Sequence, residues 1–505
     1  MKYATKLRGV VSKIGRPSVV RKHAEASCLF TANTTWLRTA ASSCPCSYRH
    51  VQEVPRHRNF TSGTPPCPST TRKDENADSY VDRVARELQG LAESKSPQAP
   101  QQADQLLQEL KAHGLEPTFD CLFGALECWC RTKRNGAEER IEEIYQELRR
   151  SFQTNASNTS DSELQEETKK MQVAMLYVLQ AYHHVSNAHR AEELLLQFAD
   201  DYRSNRMVPP TMELCKSVLS TWARSKSSRR ASRAEKLLSL MSKDPVIPNP
   251  DISCYTMVLN CWASSDKENA PQRAELLLRS MESQEEDILR PNMLSYTCVL
   301  GAWARSKDPG APDEAERLLQ EIQNEKGWEI DRVIYTVMIS VWGRSSKSNA
   351  IEKSEEYFQR LRELEFLAAE DSGVRVDARQ ATVVEHTALI QAWAYHVAKH
   401  VEDSRRAVDR VDELLDELME RHFSRNFDGG AQADLWKPNR LTFASVFRTI
   451  GAALRIPNRG DRAKATLEKM ERLSLKPDAH ILSLAEKCWR HSNKGGKKQK
   501  KKQAS

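Results

Sequence analysis

Few of the residue types that perform chemistry come together in this 505-residue chain. Gly-rich phosphate loops, HExxH phrases and GxSxG phrases are absent, and Gly429-Gly430 reads as a loop tip. The twelve cysteines are scattered, and only Cys44-Pro45-Cys46 and Cys128-Trp129-Cys130 are closely spaced. Neither has the CxxC spacing of a zinc site, so reduced thiols acting as small core residues are expected, with no metal and no cofactor. His183-His184 follows Tyr182 near a helix end and reads as an ordinary surface pair rather than a ligand set. What does recur is a threonine directly after a ring: Tyr255-Thr256, Tyr296-Thr297, Tyr335-Thr336 and His386-Thr387. Threonine is a poor helix former, so its recurrence needs a reason. Its hydroxyl can bond back to a preceding carbonyl, or it can serve something outside the helix.

The elements that carry these threonines repeat. Trp222, Trp262, Trp303 and Trp342 lie in similar phrases, such as Val258-Leu259-Asn260-Cys261-Trp262 and Val299-Leu300-Gly301-Ala302-Trp303. Their spacing of roughly 40 residues is that of a stacked repeat, not of one globular core. Tyr255, Tyr296 and Tyr335 each stand seven residues before a tryptophan, close to two helical turns, so both rings share one face of a first helix. A second helix follows in Arg233-Ala234-Glu235, Arg273-Ala274-Glu275 and Glu314-Ala315-Glu316, where the small alanine admits a close partner. Pro250-Asp251, Pro291-Asn292, Pro438-Asn439 and Pro477-Asp478 then stop one unit and cap the next. Weaker units centre on Trp129, Tyr182, Trp393, Ile450 and Trp489, giving about nine or ten helical pairs. The polar stretches Ser151 to Ser162 and Phe423 to Trp436 are expected to be loops. The expected fold is all-α, a right-handed α-solenoid of stacked helix-turn-helix units over residues 78–492.

Charge is concentrated at the two ends. The net charge is only +7, yet the first sixty residues are rich in Arg, Lys, Ser, Thr and Ala, with only Glu25 and Glu53 as acids. Residues 1–77 therefore read as an organelle transit peptide and basic leader, mitochondrial rather than plastid. Residues 493–505 form a lysine-rich tail that could grip any polyanion through counterion release. No apolar run approaches the roughly 20 residues of a membrane helix, so no membrane insertion is expected.

The phrases Asp251-Ile252-Ser253-Cys254-Tyr255-Thr256-Met257-Val258-Leu259 and Asn292-Met293-Leu294-Ser295-Tyr296-Thr297-Cys298-Val299-Leu300 resemble the repeat opening of the pentatricopeptide repeat family. The likeness is strongest from Pro210 to Leu364, and the units are longer than the family's, chiefly in the turns. The rival tetratricopeptide repeat would open with Trp-x-x-Leu-Gly-x-x-Tyr, which is not found here. Pentatricopeptide proteins read one RNA base per repeat with two or three side chains.

That resemblance implies that the threonine and the last residue of each unit face a base together. The pairs would be Thr256 with Asn292, Thr297 with Asp331, Thr336 with Asp377 and Thr387 with Asn439, and the implied footprint is A-G-G-A, read 5′ to 3′. Leu294, Val333, Val384 and Leu441 would sandwich neighbouring bases, with Ser253 breaking the series. The implied function is sequence-selective binding of single-stranded organellar RNA by a non-catalytic adaptor in processing, stability or translation, with RNA-processing or ribosomal proteins as further partners. No enzyme activity and no small-molecule substrate are expected. A helical scaffold, for example in a mitochondrial ribosome, is the alternative. Threonines lined up on an open basic face would favour the adaptor, and threonines buried in helix seams would count against base readout.

Overall fold

The repeated phrases fold into helical hairpins. The computed structural model describes residues 77–489, except 95, 131–135, 156–160, 205–207, 284–288, 371–381 and 427–434. The leader, the lysine tail and Asp377 thus lie outside the described residues. The first three hairpins pair α1 (Ala77–Ser94) with α2 (Ala99–Ala112), α3 (Phe119–Cys130) with α4 (Ala137–Asn155), and α5 (Asp161–Val185) with α6 (Ala188–Arg203). Next come α7 (Met212–Arg224) with α8 (Arg230–Met241), α9 (Ile252–Ala263) with α10 (Ala270–Glu282), and α11 (Met293–Arg305) with α12 (Ala311–Gln320). The series continues with α13 (Arg332–Arg344) and α14 (Ala350–Glu370), α15 (Val383–Lys399) and α16 (Ser404–Asn426), and α17 (Arg440–Ala452) and α18 (Arg459–Arg472). A last helix, α19, occupies 479–489. No strand occurs among the described residues, and the fold is an all-α solenoid.

Two of the expected loops are partly helical. Ser151 to Asn155 complete α4, Asp161 opens α5, and Phe423 to Asn426 complete α16. Their polar composition was a poor guide because a helix that is solvated on most sides needs only a narrow apolar stripe, here including Phe152.

Each hairpin is built as its phrase dictates. Turn residues cap the first helices: Asp251 accepts from the amide of Cys254, Asn292 from Ser295, Asp331 from Ile334 and Asn439 from Leu441 and Thr442. At α15 the cap is Thr382, whose partner Glu385 completes a capping box. Ala103, Ala191, Ala234, Ala274, Ala315 and Ala463 of the second helices are fully buried, as the close approach requires. First helices stack directly on one another, α1 on α3 and so on to α17. Between α13 and α15 the approach is so close that a Cβ on Gly343 would overlap Ala392.

Second helices are instead bridged by long side chains. Trp222, Trp262, Trp342 and Trp393 are buried in the first-helix layer, and each indole donates across the unit boundary to a glutamate of the preceding second helix. Trp222 Nε1 lies 3.0 Å from Glu192 Oε2, and Arg233 clasps the same carboxylate from α8 at 2.9 and 3.2 Å. Trp262 and Arg273 converge on Glu235, Trp393 and Arg410 on Glu355, and Tyr182 and Arg190 on Glu142. The Arg-Ala-Glu phrase therefore has a direction: its arginine reaches back one unit and its glutamate receives from the next. Nearer the second-helix ends, a further row of ion pairs joins Arg149 to Asp201, Arg203 to Asp244, and Arg279 to Glu321.

Glu192 is 4% exposed and serves two donors, so its loss strands the buried indole N–H of Trp222, while Arg233 turns to solvent. Glu192→Ala should lower stability by about 1–3 kcal/mol in urea unfolding. Glu192→Gln, which keeps an acceptor, should lose clearly less. An unchanged midpoint in both would show that apolar burial alone holds the boundary.

Candidate nucleic-acid interface

The threonines do not line an open surface. Thr297, Thr336 and Thr387 are buried at 2%, 6% and 4% exposure, and only Thr256 is half-buried. Their hydroxyls are used inside the array. Thr256 donates to the carbonyl of Ile252 at 2.8 Å, Thr297 to Met293 at 2.8 Å and Thr336 to Arg332 at 2.7 Å. Thr336 Oγ1 also lies 3.3 Å from Glu385 of the next first helix, and the hydroxyls of Thr387 and Thr442 meet at 2.7 Å. Back-bonding to the preceding turn thus occupies Thr256, Thr297 and Thr336, while Thr336 and Thr387 join one first helix to the next. Thr297, Thr336 and Thr387 are buried residues of the first-helix layer.

Their expected partners have a local use as well. Asn292, Asp331 and Asn439 are exposed, but each spends a side-chain oxygen on capping its helix. The cap carbonyls and carboxylates satisfy amides that have no partner within the helix. Leu294, Val333, Val384 and Leu441 are all half-buried, each two residues beyond a cap. They form one register along the array, open on one side.

Positive charge gathers at the opposite ends of the first helices. Residues 224–233 hold Arg224, Lys226, Arg229, Arg230 and Arg233 with no acid among them. Arg233 is committed to Glu192 and Arg230 to the carbonyl of Ser225, whereas Arg224, Lys226 and Arg229 are exposed and make no ion pair among the described residues. Arg224 lies 3.3 Å from His183, whose imidazole is pushed down to about 4 by burial, by this guanidinium and by His184. His183 is therefore neutral at physiological pH and brings no charge of its own.

The same edge continues through later units. Arg305 bonds Asp266 at 3.3 Å, and Arg344 donates to the carbonyl of Ala304 at 3.0 Å. Burial pushes the Arg305 guanidinium down to about 10, with Asp266 opposing this and Arg344 and Arg230 reinforcing it. Lys307 is exposed, and Lys399 donates to the carbonyl of Ser345. Cations at helix C-termini are favourable in themselves, and here they stand in the last turns of α7, α11, α13 and α15, while the last turns of α9 and α17 carry none. The signal was present in the sequence as Trp-Ala-Arg-Ser and Trp-Gly-Arg-Ser, two residues past the repeated tryptophan.

No reaction centre emerges from the geometry. Among the described residues, no three His, Cys, Asp or Glu side chains gather as a metal site, and no helix is long and apolar enough to cross a membrane. Buried thiols are held protonated: burial pushes Cys215, Cys254 and Cys261 up to about 12.

No family model and no curated sequence matches the chain. Solved structures do. The crystal structure of the pentatricopeptide repeat protein PPR10 from maize aligns over 92% of this chain at 15% identity, with a TM-score of 0.34. The structure of PPR10 in complex with an 18-nt psaJ RNA element aligns over 84%, at 16% identity and a TM-score of 0.30. The chain spans 66% and 53% of those two proteins. Both of these structures are of a pentatricopeptide repeat protein.

Valine matches threonine in shape but lacks the hydroxyl that Thr297 gives to Met293 and Thr387 shares with Thr442. Thr297→Val and Thr387→Val should each cost about 1 kcal/mol of stability and leave RNA affinity within about twofold. A selective loss of RNA binding in a variant of unchanged stability would return the threonines to base reading.

Proposed function

We propose that this chain is a non-catalytic RNA-binding protein of an organelle, which holds a single strand chiefly through its phosphates. The observation that carries this reading is the cluster of exposed cations at the C-terminal end of α7, Arg224, Lys226 and Arg229, with exposed Lys307 just beyond the same end of α11. Phosphate contacts position a strand and carry no sequence information, so this surface supports binding without specifying the transcript. The basic, acid-poor leader supports delivery to an organelle, the mitochondrion before the plastid. Exposed edges of the array would present the bound strand to processing or translation factors.

A scaffold role is the second reading, and a specific observation favours it. Three of the four threonines that would read bases are consumed in helix seams, leaving a surface fit for a large ribonucleoprotein contact without sequence readout. Crosslinking in isolated organelles separates the two: recovery of a few transcripts supports the adaptor, and recovery of ribosomal RNA alone supports the scaffold.

The charge argument has its own test. Replacing Arg224, Lys226 and Arg229 together by glutamine should weaken binding to all single-stranded RNAs alike. The slope of log affinity against log salt should fall by about 2, three contacts at roughly 0.7 each. An unchanged slope would place the RNA elsewhere.

A further inference from the structure

One turn beyond each threonine, the first helices carry a second polar series. Gln180, Ser220, Asn260, Ser340 and Gln391 stand two residues before Tyr182, Trp222, Trp262, Trp342 and Trp393. The last three of them are four residues after Thr256, Thr336 and Thr387, hence on the same helical face. Yet their surroundings differ. Gln180 is exposed and the other four are half-buried, whereas the threonines of the last two units are closed off. Gly301 holds this place in α11 and offers no side chain.

The chemistry of the series is that of base edges. Ser220 and Ser340 donate to the carbonyls of Ser217 and Thr336, at 2.9 and 3.0 Å, and Ser220 Oγ also lies 3.3 Å from His183 Nδ1. The carboxamides of Gln180, Asn260 and Gln391 make no hydrogen bond with the described residues. A carboxamide presents a donor and an acceptor side by side, the arrangement that an unstacked base offers along its Watson–Crick edge. Half-buried amides without partners gain most when a ligand supplies both bonds. The tryptophans fix the spacing of these amides, because each indole is pinned two residues away by its glutamate.

We infer that Gln180, Asn260 and Gln391 contact the bases of a bound RNA strand, one helical turn away from the threonine row, with Ser220 and Ser340 as weaker members. This rests on the RNA-binding reading above. On this arrangement the phosphates lie toward Arg224 and Arg344, at the nearby helix ends, and the bases turn toward the amides.

The test uses the full chain and a pool of short random-sequence single-stranded RNA. Wild-type protein should enrich particular sequences. A combined Gln180→Ala, Asn260→Ala and Gln391→Ala variant should lose about tenfold of that preference, while its affinity for unselected RNA and its salt slope stay within about twofold. Retention of the full preference by the folded variant would overturn the inference and leave RNA binding intact. Wild-type binding without any preference would do the same. Failure of the wild-type protein to bind any RNA would overturn both the inference and the reading beneath it.

Discussion

The array depends on one shared acceptor. At each boundary built on it, a carboxylate of one second helix receives an indole N–H from the next first helix and a guanidinium from the next second helix. A solenoid has only neighbour contacts, so its stiffness is set at these boundaries. Apolar burial is non-directional and would let one hairpin slide or rotate on another. An acceptor that must satisfy two donors from two helices fixes register and angle together. Where it varies, the junction changes character: Glu314 replaces the arginine before Ala315, and Arg317 reaches Glu275 from one turn further on.

That constraint explains the fate of the threonines. With the tryptophans pinned, adjacent first helices come close enough for Thr387 to meet Thr442 and for Gly343 to face Ala392 without room for a Cβ. The same hydroxyl, on a looser stack, would look outward. A residue's type and spacing cannot distinguish these outcomes, since both place threonine on the same face of the same helix. What differs is the distance between helices, a property of the whole stack.

Much of the architecture was legible because it is local and repeated. The tryptophans were readable as packing posts from their period and the ring seven residues earlier, and the turn residues as caps from their place after proline. Ala234, Ala274 and Ala315 announced the hairpin seams. The direction of the Arg-Ala-Glu phrase was not readable, because the partners sit about 40 residues apart and either charge could have faced solvent. Nor was the cap at α15, where an insertion put Thr382 and Glu385 in the place expected of Asp377. Polar composition likewise concealed the helical extensions at Asn155 and Asn426.

A rigid array with its apparent reading residues sealed is not thereby a passive one. Binding a flexible strand costs the strand its conformational freedom, and a binder that is already ordered avoids adding its own cost. The shared acceptors provide that order. They hold successive first helices in a fixed register, and with them the cations at the ends of α7, α11 and α13. The threonine seams contribute to this order by closing the stack. Selectivity, on such a frame, has to come from side chains that the seams leave open, and the frame fixes where those side chains stand.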